Sequence, residues 1–261
     1  MSTFLNVVII QYAIAWENPA KNRSFLTEVI KKSTKANVYV LPEAFTTGFS
    51  IKNEMAETMD GETVVWMQQM AQEKNAAVMG SLIIKDGVNI FNRMVFVTPD
   101  KKIQTYDKLH LFNYGDEGKC FAPGKTSVIF EYLDWKIKPI ICYDLRFPVA
   151  IRNTEDYDVL ICVANWPKAR VEAWDTLLKA RAIENQCYTI GVNRIGKDGN
   201  DLEYPGHSNS YDPLGKTLGE FSDKQTTVNY SLNKDEIQTI RRKFPFLNDR
   251  DDFKIILKSK P

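Results

Sequence analysis

The stretch Pro139-Ile140-Ile141-Cys142-Tyr143-Asp144-Leu145-Arg146-Phe147-Pro148 carries a cysteine off the end of an apolar run and into a polar turn. A nucleophile belongs at such a place. A hydrophobic strand fixes the thiol, and the backbone N–H groups that follow it can point at the oxygen of a bound acyl group. A lone Cys in an apolar run otherwise packs as a small hydrophobe, so this segment alone names a candidate and no mechanism.

Two other segments share its form. Val38-Tyr39-Val40-Leu41-Pro42-Glu43 is an apolar strand that ends in a carboxylate, with Pro42 stopping the strand ladder. Tyr106-Asp107-Lys108-Leu109-His110-Leu111-Phe112 sets a Lys and a His at the end of another strand. Each polar group taken singly is an ordinary solvated strand end, but three strand ends can meet at one sheet edge. A thiol with an ordinary pKa near 8.5 is only a few per cent thiolate at neutral pH, so it needs a base or a nearby cation. Glu43 can take the proton while Lys108 favours the thiolate and a developing oxyanion. A Cys142–His110 dyad is the competing arrangement, and the residues themselves do not choose between the two.

Working outward, the 261 residues carry 34 Lys and Arg against 33 Asp and Glu, and 44% of them are hydrophobic. That is ample for a core. No long basic block gives the footprint of nucleic-acid binding. No apolar stretch approaches bilayer length, and the start reads as a first strand, not a signal peptide. A cytoplasmic protein with reduced thiols is expected. The four cysteines Cys120, Cys142, Cys162 and Cys187 form no C-x-x-C pair, and the two histidines are His110 and His207, so a structural zinc site is not expected. Hydrophobic patterning predicts strands at 6–11, 37–41, 76–84, 90–98, 102–106, 127–132, 135–142, 159–163, 188–193, 207–211 and 226–232. Helices are predicted at 19–35, 63–74, 149–154, 170–186 and 234–244. This mixture points to strands in two sheets with helices outside, within one domain over 1–261 that has no internal boundary.

Leu41–Glu43, Asp107–Phe112 and Cys142–Pro148, in that order and at that spacing, resemble the nitrilase or carbon–nitrogen hydrolase superfamily. The likeness continues through Ala164-Asn165-Trp166-Pro167, Leu177–Gln186, Val192–Gly196 and Gly206-His207-Ser208, and so covers nearly the whole chain. Phe45-Thr46-Thr47-Gly48-Phe49 and Lys243-Phe244-Pro245 are similar to its ω-amidase branch.

The resemblance implies a four-layer αββα sandwich that forms a homodimer, and catalysis without metal or organic cofactor; it leaves open whether the tail from about residue 246 crosses the dimer interface. It implies Cys142 as nucleophile, Glu43 as general base, Lys108 at the tetrahedral intermediate and the Tyr143 N–H as second oxyanion donor. Glu117 matches a second carboxylate that orients Lys108, with Asp116 adjacent to it. His110 becomes a supporting residue. The implied substrates are short dicarboxylic monoamides such as 2-oxoglutaramate and 2-oxosuccinamate. Their free carboxylate asks for a cation, with Arg146, Lys168 and Arg170 as candidates, and Phe49 and Trp166 as apolar walls. Ala173-Trp174 departs from the His-Trp of many relatives and leaves fine specificity open. Another amidase or an N-carbamoyl hydrolase is the alternative within the superfamily. A non-catalytic interaction module is the alternative outside it.

Overall fold

The first strand, β1 (Phe4–Gln11), divides its side chains between two apolar environments. Leu5, Val7 and Ile9 join one core and Val8 and Ile10 another, as the two-residue period of a strand dictates. In this computed structural model, which describes residues 3–256, that division propagates through the chain. β2 (Val38–Val40), β3 (Ala77–Asp86), β4 (Asn89–Val97) and β5 (Ile103–Asp107) follow β1 in one sheet. The second sheet contains β6 (Phe130–Tyr132), β7 (Trp135–Ile141), β8 (Val159–Ala164) and β9 (Tyr188–Asn193). After a small separate hairpin of β10 (Ile195–Lys197) and β11 (Glu203–Pro205), β12 (Asn209–Tyr211) returns to the second sheet and β13 (Thr226–Asn233) to the first.

The first sheet has the order β13-β1-β2-β3-β4-β5 and the second β12-β9-β8-β7-β6. β1, β2 and β3 run parallel, as do β7, β8 and β9, while the outer strands pair antiparallel, so both sheets are mixed. Val7, Ile9, Met79, Phe96 and Tyr106 of one sheet pack against Trp135, Ile137, Ile161 and Tyr188 of the other. On the outer face of the first sheet, α1 (Pro19–Lys32) and α2 (Glu62–Lys74) cover Val8, Ile10, Val78 and Val95 with Leu26, Ile30, Met67 and Met70. On the outer face of the second, α4 (Val171–Asn185), which follows the short α3 (Glu117–Cys120), lays Trp174, Leu178 and Ala182 on Leu160 and Cys162. α5 (Lys234–Lys243) buries Ile237 and Ile240. The layers are αββα, as the resemblance implied.

Local departures from the predicted elements have physical causes. The helix predicted at 149–154 is a 3₁₀ turn, Pro148–Ile151. The Asn153 side chain bonds both the N–H and the carbonyl of Tyr157, at 2.9 and 3.0 Å, and so competes with helix continuation. The strand predicted at 127–132 is reduced to β6, which pairs with Trp135–Ile137. Beyond Ile137 that side of β7 is an open edge, which is why Pro139 can sit in it. The strand predicted from 207 begins at Asn209 because Gly206 and His207 have φ of +75° and +57°. The helix predicted to 35 ends at Lys32, where the Ser33 hydroxyl turns back to the Val29 carbonyl at 2.7 Å. The hairpin β10–β11 and α3 were not predicted. Among the described residues no helix is long and apolar enough to cross a membrane.

Candidate active site

Three strand ends deliver the three polar groups to one place. After β2, the chain continues through Leu41 and Pro42 to Glu43, which is fully buried. This loop lies close on β3, where Gly80 leaves room for the Phe45 ring: a Cβ at Gly80 would fall 2.7 Å from Phe45 Cδ1. Glu43 accepts at both oxygens. Oε1 receives Lys108 Nζ at 2.9 Å and Asn92 Nδ2 at 2.8 Å, and Oε2 receives the Asn165 backbone N–H at 2.7 Å. The Asn165 amide also donates to the Glu43 carbonyl at 2.7 Å, tying the loop of the first sheet to the end of β8.

Lys108 follows β5, its amine fully buried between two carboxylates. Nζ lies 2.9 Å from Glu43 Oε1, and 3.1 and 2.9 Å from the two oxygens of Glu117. Burial pulls the Lys108 ammonium pKa down, but Glu117 and Glu43 outweigh it and hold it above the usual lysine value. Glu117 opens α3 and also accepts the Phe112 N–H at 2.6 Å and Asn92 Nδ2 at 3.1 Å. Burial raises its carboxyl pKa, Lys108 opposes this and Glu43 adds to it, with a net rise. Asp116 turns away to pair with Lys119 at 2.8 Å, so Glu117 is the carboxylate that reaches Lys108.

Cys142 directly follows β7 and begins a 3₁₀ turn, Cys142–Arg146, with φ of +47°. A non-glycine residue in this left-handed region is strained and persists only where its surroundings over-determine it. Asp144 does that. Its buried carboxylate accepts the Ile141 N–H at 3.1 Å, the Tyr106 hydroxyl at 2.7 Å, and the His110 N–H and Nδ1 at 2.9 and 2.8 Å. Tyr143 lies in the first turn, where N–H groups have no partner within the helix. The Cys142 thiol lies 3.9 Å from the Asn165 carbonyl. Burial pushes its pKa well up, Glu43 adds to the rise, and Lys108 works against it.

Cys142 and Lys108 open onto a cavity of about 400 Å³. Phe49, Tyr143, Arg146 and Trp166, each singled out from sequence, line it. Phe49 presents its ring to Lys108 at 5.5 Å. Trp166 is both wall and core: it packs against Trp174 at 5.5 Å and donates its indole N–H to the Arg170 carbonyl at 2.7 Å. Arg146 sits over the Trp166 ring at 4.8 Å. Arg170 lines the cavity as well, whereas Lys168 pairs with Glu203 at 3.3 Å outside it.

His110 is not brought to the thiol. Its Nδ1 is held by Asp144, and its ring stacks on Phe147 at 3.8 Å and 6°. Among the described residues, no group of three or more His, Cys, Asp or Glu has a metal-holding arrangement. Asn92 and Asp144 were missed from sequence. The signal for Asp144 is its place inside the decisive stretch, a carboxylate two residues past the Cys. Asn92 sits mid-strand with no such signal.

A thiol and a buried ammonium open onto one cavity, with carboxylates bonded to the ammonium behind it, a set of groups that can carry out acyl transfer. The chain is 37% identical over 252 residues to "Omega-amidase YafV" of Escherichia coli K12, covering 96% of this chain and 98% of that protein. It is 33% identical over 247 residues to "2-oxoglutaramate amidase" of Bacillus subtilis 168, covering 92% and 95%. A solved structure from Xanthomonas campestris, a CN-hydrolase superfamily protein with an arsenic adduct in its active site, superposes with a TM-score of 0.94 at 39% identity, over 97% of this chain and all of that one. The Carbon-nitrogen hydrolase family pattern matches residues 6–242. With the αββα layers and the three strand ends meeting at one cavity, this chain belongs to the carbon–nitrogen hydrolase family.

Proposed function

We propose that this chain is an ω-amidase, hydrolysing the terminal amide of short dicarboxylic monoamides such as 2-oxoglutaramate and 2-oxosuccinamate to the diacid and ammonia. The observation that carries the reading is the buried Glu43–Lys108–Glu117 array beside Cys142, at the floor of a cavity walled by guanidinium groups. The similarity to an ω-amidase and a 2-oxoglutaramate amidase supports the substrate class.

The raised thiol pKa means that Cys142 rests protonated at neutral pH, so its proton must leave during attack. In this mechanism Cys142 Sγ bonds to the amide carbon while Glu43 takes the thiol proton. The oxyanion is held by Lys108 and the Tyr143 N–H. Glu43 then protonates the leaving nitrogen, ammonia departs and a thioester remains. Glu43 next takes a proton from water, whose oxygen attacks the thioester carbon. The acid is released and the proton returns to Cys142. Glu117 holds Lys108 in place and does not touch the substrate. Arg146 takes the substrate carboxylate, and Trp166 and Phe49 flank its carbon chain.

The test is ammonia release from 2-oxoglutaramate and succinamate, with asparagine and glutamine as controls, for wild type and Cys142→Ala. Release from the first pair alone, absent in the variant, is expected. Full activity of Cys142→Ala would overturn the scheme. An alkylatable Cys142 with no release from any of the four would favour another amide or an N-carbamoyl compound.

A homodimer and a cytoplasmic setting belong to the same proposal, as does a single domain spanning 1–261. The tail from 246 exposes Phe246, Phe253 and Ile256, which suits a covered surface. Its positions 257–261 lie outside the described residues. Sedimentation of the full chain and of a variant ending at residue 245 tests the tail's part in the dimer.

A further inference from the structure

Two guanidinium groups line the cavity without an acid partner among the described residues. Arg146 lies over Trp166 at 4.8 Å and Arg170 over Phe112 at 5.4 Å. The other cations of the site are neutralised in place. Lys108 is bonded to Glu43 and Glu117, and Lys52 pairs with Glu17 at 2.7 Å. Trp166 couples the two arginines mechanically. Its ring face carries Arg146, and its indole N–H is tied to the Arg170 backbone carbonyl at 2.7 Å. Arg170 closes the 3₁₀ turn Lys168–Arg170 before α4, so its backbone is fixed by Trp166 whatever its side chain does.

One carboxylate needs one of these cations. From the second we infer that Arg170 is a specificity-determining residue, reading the substituent on the carbon next to the substrate carboxylate, here a 2-oxo oxygen. This rests on the ω-amidase reading and narrows it. A guanidinium donates to a carbonyl oxygen and carries a charge that repels an ammonium at the same carbon. The clamp therefore favours 2-oxo acid amides over the plain monoamides, and disfavours glutamine and asparagine, whose α-ammonium would face a second positive charge. Both guanidiniums lie over aromatic faces, which limits their motion and keeps the pair in place before a ligand arrives.

The test uses a matched pair, 2-oxosuccinamate and succinamate, which differ only in the 2-oxo group. Arg170→Gln and Arg170→Lys are compared with wild type, all checked for unchanged thermal melting. Arg170→Gln is expected to lower kcat/KM for 2-oxosuccinamate by about 10- to 100-fold, mostly through KM, the loss of one charge-assisted hydrogen bond. Succinamate should change less than about threefold on the same basis. Arg170→Lys, which keeps charge but loses the planar fork, should fall between. Parallel losses on both substrates, or an unchanged ratio, would overturn the assignment of Arg170 while leaving the ω-amidase reading intact. Absence of ammonia from both substrates with the wild type would instead remove that reading itself.

Discussion

Replacing Lys108 with Met, a side chain of similar length, should cost more than activity. In the wild type, Lys108 Nζ lies within 3.1 Å of three oxygens belonging to two carboxylates, all fully buried. At about 3 Å and an effective dielectric of about 20, each ammonium–carboxylate pair has a gross attraction of about 5–6 kcal/mol. Desolvation cancels much of that, yet removing one partner of a buried pair costs about 3–5 kcal/mol because a charge is left uncompensated. In Lys108→Met two carboxylates are left, both bonded to the single amide of Asn92 at 2.8 and 3.1 Å. At about pH 8 the variant should melt about 6–20 °C below wild type, taking about 2–4 °C per kcal/mol for a chain of this size. The sign of the pH dependence is diagnostic. A like-charge pair raises carboxyl pKa values above the unfolded value of about 4.3, so the folded variant binds protons that the unfolded chain does not. The penalty is then greatest well above the raised folded pKa and shrinks as the pH falls through it, so the gap in Tm to wild type should narrow from about pH 8 toward about pH 5. Scanning calorimetry or fluorescence melting at several pH values reads both quantities. Parallel Tm curves across this range, or a variant as stable as wild type at pH 8, would refute the charge argument.

Other outcomes follow from the same site. Alkylation of Cys142 by iodoacetamide should be slow at neutral pH and still rising beyond the range of a free thiol, because its pKa is raised by burial and Glu43; a rate already flat at neutral pH would contradict this. Glu43→Gln removes the neighbouring negative charge, so it should lower that alkylation midpoint while abolishing ammonia release, separating thiol ionisation from catalysis. Arg146→Ala should raise KM for 2-oxoglutaramate by about 10- to 100-fold with kcat within a few-fold, the pattern of lost substrate binding, and steady-state kinetics decides it. His110→Ala removes a hydrogen bond to Asp144 and a stack on Phe147. It should leave kcat within a few-fold and cost about 1–2 kcal/mol of stability by denaturant melts.

Two of the strand ends were readable because apolar runs stop abruptly at Glu43 and Cys142, while Lys108 follows the mixed strand Ile103–Asp107 and stood out through the Lys-Leu-His it opens. Two sheets with helices outside were readable from the mixture of strands and helices along the chain, and the four layers from the family resemblance, whereas the wholly apolar run Val7–Ile10 hides that Val7 and Val8 enter opposite cores. Asn92 was not legible because it sits inside β4, where a strand's period tells which face a residue joins but not that two carboxylates converge there. The geometry that removed His110 from contention was equally hidden, since it depends on Asp144 and Phe147 being folded around its ring. Hairpin β10–β11 escaped because three-residue strands such as Ile195-Gly196-Lys197 are too short to display a period.

Asp144 binds Tyr106 and His110 on the first-sheet side and Ile141 in the second sheet, while Glu43 of the first-sheet layer bonds Asn165 at the end of β8. The conformation of Cys142 is thus written across both halves of the sandwich, and neither half alone can hold it. An intermediate that kept each sheet intact but let them part would retain its circular dichroism and lose its chemistry. For this enzyme, turnover during gradual denaturation becomes a gauge of sheet–sheet docking, and it should vanish with the tertiary signal instead of waiting for the secondary structure to melt.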